Sequence, residues 1–245
     1  MITIVFGDIS PDESLNPRRL IVTTLSAKVS FSHAIVPLLA LLLPACGPEA
    51  GKPKGPPEGP FAVSEYFAAS GAMGDGATVG NLVTSENKNC KERPAGARGN
   101  CYAFDYTPNA ILWAGVYWQY PANNWGADPG LPLPQGLTKI SFQAAVLEAP
   151  AEGERMKFAV GGIGVPPLPV DAVDYPNDDQ FKYEEYKYIT TEWQAFEFML
   201  PPPIDPNLPI ASLIGAFAWY ANYPEGADYT TLTPKTIYID DIYYE

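Results

Sequence analysis

The sequence predicts an all-β protein folded as a two-sheet sandwich, and three observations point there. The 245 residues include 27 prolines and 21 glycines, so turns recur too often for long helices. Short apolar runs alternate with polar positions at period two, between loops rich in proline and glycine. No stretch sustains a 3.6-residue apolar period over the length of a helix.

The strand candidates fall in order. Residues 61–68 open the folded part, and residues 101–107 precede the densest aromatic stretch. That stretch, 113–126, reads WAGVYWQYPANNWG and holds three of the five tryptophans. Its first half belongs to a β-branched and aromatic run, 111–119, which favours a strand. Its second half, 120–126, has a proline and two asparagines and reads as a turn. Residues 137–147 alternate, with Ile140, Phe142, Ala144 and Val146 on one face. Met156, Phe158 and Val160 do the same, as do Phe196, Phe198 and Leu200. Residues 210–220 are nearly all apolar and predict a central strand. The run 235–244, KTIYIDDIYY, closes the chain. Proline-rich loops separate these runs, and the Gly161-Gly162-Ile163-Gly164 run reads as a turn or bulge, because no lysine or helix start follows it.

The first sixty residues have a different character. Residues 1–17 lack periodicity, as an over-called translation start would. Arg18, Arg19 and Lys28 then precede an apolar run over 34–43, followed by Leu43-Pro44-Ala45-Cys46-Gly47. Basic residues, a short apolar core and a small residue before the cut form a secretion signal, and the run is too short to be expected to span a membrane. The Leu-x-Ala-Cys ending resembles a bacterial lipobox, which makes Cys46 the expected lipidated first residue of the mature protein. Residues 47–60 contain five prolines, four glycines and no large apolar side chain, so they read as a tether. The expected organisation is thus a signal peptide over 1–45, a lipid-anchored tether over 46–60 and a β-sandwich domain over 61–245.

Composition excludes several functions. A net charge of −13 and a pI near 4.4 oppose binding to a nucleic-acid backbone. The single histidine, His33, lies in the expected leader, so the mature chain has none for a Ser-His-Asp triad, a Cys-His pair or a histidine zinc site. In the folded part, 61–245, two cysteines remain, Cys90 and Cys101, and in an oxidising compartment they form a disulfide.

The aromatic stretch is the candidate binding surface. Period two sets Val116 and Trp118 on one face and Trp113, Tyr117 and Gln119 on the other. With Val116 in the core, Tyr117 and Gln119 face outward, and Asn123, Asn124 and Trp125 lie at the rim. Trp219 joins them if its strand is a neighbour. Aromatic planes beside amides suit the apolar C–H faces and hydroxyls of a β-linked glycan.

Four blocks extend this reading. FAVSEYFAASGAMGDG, WAGVYWQYPANNWG, TTEWQAFEFML and TIYIDDIYYE, in that order, resemble the jelly-roll, galactose-binding-like carbohydrate-binding domains of bacterial lipoproteins. The resemblance covers about 61–245. It implies a non-catalytic domain in the bacterial cell envelope, periplasmic or at the cell surface, with a polysaccharide or cell-surface glycan as partner and the membrane touched only through the lipid anchor. It also implies a structural calcium held by Glu65, Asp75 and Asp240 or Asp241. The residues themselves leave that open. Adjacent acids in an apolar strand put one carboxylate inward unless a bulge intervenes, and calcium, a tyrosine hydroxyl or an arginine such as Arg155 would each satisfy it. Two other functions are compatible with the same fold. One is a structural or protein-interaction lipoprotein. The other is a two-carboxylate glycoside hydrolase drawing on Glu148, Glu154, Glu184, Glu185, Glu192 or Glu197. No local acidic motif at strand-alternate spacing supports the hydrolase.

Overall fold

The structure is a computed structural model in which residues 55–150, 155–165, 175–200 and 212–245 are described. The expected signal segment, Cys46 and most of the tether lie outside them.

Among the described residues, eleven strands form two antiparallel sheets. They are β1 (Phe61–Ala62), β2 (Ala68–Gly74), β3 (Leu82–Glu86), β4 (Tyr102–Tyr106), β5 (Trp113–Gln119), β6 (Lys139–Val146), β7 (Met156–Gly161), β8 (Lys182–Lys187), β9 (Gln194–Met199), β10 (Gly215–Asn222) and β11 (Lys235–Tyr244). One sheet runs β3-β4-β11-β6-β9, with β1 added beside β11, and the other runs β2-β5-β10-β7-β8. The pairing from β4 onward is nested: β4 with β11, β5 with β10, β6 with β9, and β7 with β8 innermost. A long hairpin folded over in this way is the jelly-roll arrangement, and it closes an all-β core between two sheets.

The opening strand differs from expectation. Residues 61–68 hold only the short β1 before a 3-10 turn at Val63–Glu65, where the Val63 carbonyl accepts hydrogen bonds from the Tyr66 and Phe67 amides. The turn buries Phe61, Ala62, Val63 and Phe67 together, whereas an extended strand would turn Ala62 away from the other three.

Aromatic rings fill the interior. The Trp118 ring meets Tyr102, Phe104 and Phe217 at centroid distances of 4.9, 5.6 and 5.3 Å, and Phe142 meets Phe158 and Phe217 at 4.8 Å each. Each such ring stabilises the fold by about 1.5–3 kcal/mol through burial alone, with edge-to-face geometry adding to it.

The segment between β3 and β4 crosses the outside of the first sheet. Cys90 and Cys101 are bonded, with Cα atoms 6.3 Å apart, and this closes the loop at its base. Arg93 and Arg98 reach from the loop to β11, and the Trp193 indole Nε1 donates to the Glu92 carbonyl at 2.6 Å. The part of this outer face around β11 is therefore covered, and its small cluster of Ala103, Ala145 and Tyr238 lies under Trp193, while Glu197 and Met199 on β9 stay exposed.

Candidate functional site

On β5, Ala114, Val116 and Trp118 point into the core, so Trp113, Gly115, Tyr117 and Gln119 point outward, as the alternation predicts. Facing outward does not expose them all. Tyr117 is 5% exposed, packs on Ala159, Ile163 and Ala218, and donates its hydroxyl to the Gly161 carbonyl at 3.0 Å. Gln119 is buried; its Nε2 donates to the Asn124 carbonyl at 2.7 Å and its Oε1 accepts from Ser70 Oγ at 3.0 Å. Asn124 is buried at the centre of its loop. Its Nδ2 donates to the carbonyls of Tyr120 and Asp128, and its Oδ1 accepts from the amides of Gly126 and Asp128.

Two expected ligand amides are thus structural. A tight loop must satisfy its own backbone, and asparagine does this by bonding to nearby peptide groups. Trp219 is a second correction. Its neighbour across the sheet is Val116, an inward residue, so the indole is buried in the core with Phe104 at 4.9 Å. Asn123 stays exposed in a left-handed conformation with φ of 62°, its amide donating to Ser70 Oγ. Trp125 is partly buried and meets the Tyr117 ring edge-on at 6.1 Å.

What the outer face of the second sheet does assemble is a line of rings. Trp113 lies 6.1 Å from Tyr220, Tyr220 6.2 Å from Tyr117, and Tyr117 6.1 Å from Trp125. Register explains the line, because Tyr220 pairs across from Gly115 on one side and Lys157 on the other, and Lys157 pairs across from Tyr186. Gly115 leaves the space that Tyr220 and Met73 lean into. A Cβ there would sit 2.6 Å from the Trp219 carbonyl oxygen and 3.1 Å from Met73 Cε. Lys157 places its ammonium 4.4 Å from the Tyr220 ring and pairs with Glu184 at 3.4 Å, while Lys182 pairs with Glu184 at 3.0 Å.

No motif or spacing singles out the residue that supports this face, Asp179. It is buried, and its carboxylate accepts from the amides of Ile163 at 2.9 Å and Ile214 at 2.6 Å, and from Gly215. Burial pushes its carboxyl up to about 7, against the opposing pull of those amides. The bonds tie the start of β10 to the segment after β7, beside Tyr117.

The expected calcium ligands are not brought together. Asp75 accepts from the Tyr106 hydroxyl at 2.9 Å and from the amides of Asn109, Ile111 and Leu112 at 2.8, 3.0 and 3.1 Å. Asp240 accepts from Arg93 Nε and Nη2, both at 2.7 Å, and Asp241 from Arg98 Nε at 2.7 Å. Glu65 is exposed in the turn after β1. Among the described residues no group of three or more acidic, histidine or cysteine side chains is placed to hold a metal ion. A bulge at Asp241, with φ of 52°, shifts the β11 register so that Ile239, Ile242 and Tyr244 all remain inside and Asp240 and Asp241 meet the covering loop. Arginine is the partner, but from the clipped loop rather than at position 155.

Among the carboxylates weighed for glycoside hydrolysis, Glu154 lies outside the described residues, and Glu184 and Glu185 carry the shift of paired, ionised groups. Burial raises the Glu184 carboxyl, but bonds and charges from Lys182 and Lys157 outweigh it and leave it lowered, and Lys187 and Tyr183 lower Glu185. A glycosidase acid needs the opposite shift.

No family model and no curated protein matches the chain. Among solved structures, similar ones include carbohydrate-binding modules with a β-sandwich fold. A family 11 module from Clostridium thermocellum, solved with a β-1,3-1,4-mixed-linked tetrasaccharide, is 16% identical over 72% of this chain and 96% of its own, with a TM-score of 0.33. A module described for promiscuous specificity within the β-sandwich superfamily is 16% identical over 73% of this chain and 64% of its own, at 0.36. The K1 cleaved adhesin domain of Lys-gingipain from Porphyromonas gingivalis W83 is 12% identical over 76% of this chain and 96% of its own, at 0.32. The fold assignment rests on the strand pairing.

Proposed function

We propose that this chain is a non-catalytic, extracytoplasmic glycan-binding β-sandwich that holds its ligand on the outer face of the β2-β5-β10-β7-β8 sheet. The observation that supports it is the line of rings from Trp113 through Tyr220 and Tyr117 to Trp125. A pyranose presents apolar C–H faces, and the partly exposed rings of Trp113, Tyr220 and Trp125 stack on successive units of a chain, with Tyr117 buried between them as support. Trp113 and Trp125 are partly buried, so their rotamers are fixed before binding and less entropy is lost on association. Gln119 and Asn124 serve this surface from beneath by shaping the loop that presents Trp125. The disulfide supports an oxidising compartment. That setting accords with a lipidated Cys46, which mass spectrometry of the membrane fraction would detect as a diacylglyceryl peptide and an uncleaved leader would exclude.

Alanine at Trp113 or Trp125 should weaken polysaccharide binding by about 1–3 kcal/mol, with the melting temperature little changed. Affinity-gel retardation or calorimetry reads this directly. Unaltered binding in both variants would remove the sheet face from the account.

A further inference from the structure

A cavity of about 870 Å³ opens at the end of the sandwich where β6 and β10 finish and β7 and β11 begin. Val146, Met156 and Ile189 line it with apolar surface, and Tyr186 and Tyr223 with rings. Its size and mixed lining are those of a small-molecule site. It adjoins the ring-lined face in two ways. Tyr186 stands in the same cross-strand row as Tyr220 and Lys157, and Asn222 and Tyr223 are shared with a smaller hollow beside Trp113.

The cavity's charge runs against that of the chain. Overall the chain carries −13, yet among the described residues the charged ones lining the cavity are Arg155 and Lys235 against Glu148. Lys235 holds its ammonium 4.0 Å from the Tyr223 ring and donates to the Asn222 carbonyl at 3.4 Å, and burial lowers it to about 8. The Arg155 guanidinium lies 5.2 and 5.9 Å from the Tyr186 and Tyr188 rings and has no carboxylate within ion-pair distance among the described residues. A guanidinium held beside two rings, with no described carboxylate on its fork of N–H donors, suits a bidentate carboxylate.

We propose that the cavity holds a carboxylate-bearing sugar ring, its acid group on Arg155 and its apolar face on Tyr186, so that the chain selects acidic polysaccharide over neutral. The proposal rests on the glycan-binding reading and adds the ligand's charge to it. A neutral ring would leave the guanidinium to water, whereas a uronate gains a charge-assisted pair in a partly apolar hollow. Selectivity therefore resides at the cavity, and general affinity resides on the sheet face.

The test titrates the protein with two matched trisaccharides, cellotriose and β-1,4-linked triglucuronate, by calorimetry. Triglucuronate should bind at least about tenfold more tightly to the wild type, a ratio one charge-assisted pair can supply. Arg155→Gln should bring the ratio close to one while leaving the cellotriose affinity and the melting temperature as they were. Trp113→Ala should weaken both ligands together. Equal binding of the two by the wild type, or a preference that survives in Arg155→Gln, would overturn the inference while leaving glycan binding standing. Binding of neither trisaccharide would overturn both.

Discussion

Replacing Arg93 by alanine should lower the melting temperature by roughly 6–12 °C, the consequence of losing about 3 kcal/mol in a domain of this size. The Asp240 carboxylate is fully buried, and both of its oxygens accept from the Arg93 guanidinium at 2.7 Å. Removing the arginine leaves a buried charge with the Asp241 amide as its remaining bond. Such a group loses far more by being abandoned than the intact pair contributes over an apolar substitute. The Arg98–Asp241 pair gives the internal comparison. Asp241 is 14% exposed, so water compensates part of the loss, and Arg98→Ala should cost about 1 kcal/mol. Thermal melts of the two variants read the difference. Equal, small shifts, or a wild-type melting point that falls on adding chelator, would show that something other than Arg93 holds Asp240.

Trp219→Ala should be the more damaging change, at about 3–5 kcal/mol for truncating a buried aromatic. The indole is fully enclosed and packs on Phe104, and its Nε1 has no hydrogen-bond partner among the described residues. Its contribution is therefore packing, so Trp219→Phe should recover most of the loss. Denaturant unfolding of the two variants measures both values. A Trp219→Ala protein with native stability and impaired glycan binding would instead return this residue to the ligand surface, where the sequence sets it on condition that its strand is a neighbour.

Much of the fold was legible because strands with one apolar face announce themselves. The closing strand matches its expected limits, and Ile140, Phe142, Ala144 and Val146 point inward as the alternation requires. Strand β8, KYEEYK, was missed. Four of its six residues are charged and none is buried on this edge strand, and its pairing with β7 rather than its own pattern makes it a strand. β2, rich in alanine and glycine, was missed for the same reason. At the candidate site, alternation gave the correct face for Tyr117 and Gln119 but not their burial, which depends on Asp179, Ser70 and a loop distant in sequence. Trp219 was misplaced because its side depends on register with β5, a relation between two strands that neither sequence contains. The acids of β11 turned on a single bulge, which sequence could name as a possibility but not locate.

The most direct test of glycan binding on this sheet face uses the five tryptophan indoles as separate reporters. In a proton–nitrogen correlation spectrum titrated with a bound β-glycan, the indole signals of Trp113 and Trp125 should shift most. Those of Trp118 and Trp219, enclosed in the core, should hold still, as should Trp193 on the opposite sheet. Shifts confined to Trp193, or to none of the five under saturating ligand, would contradict the account.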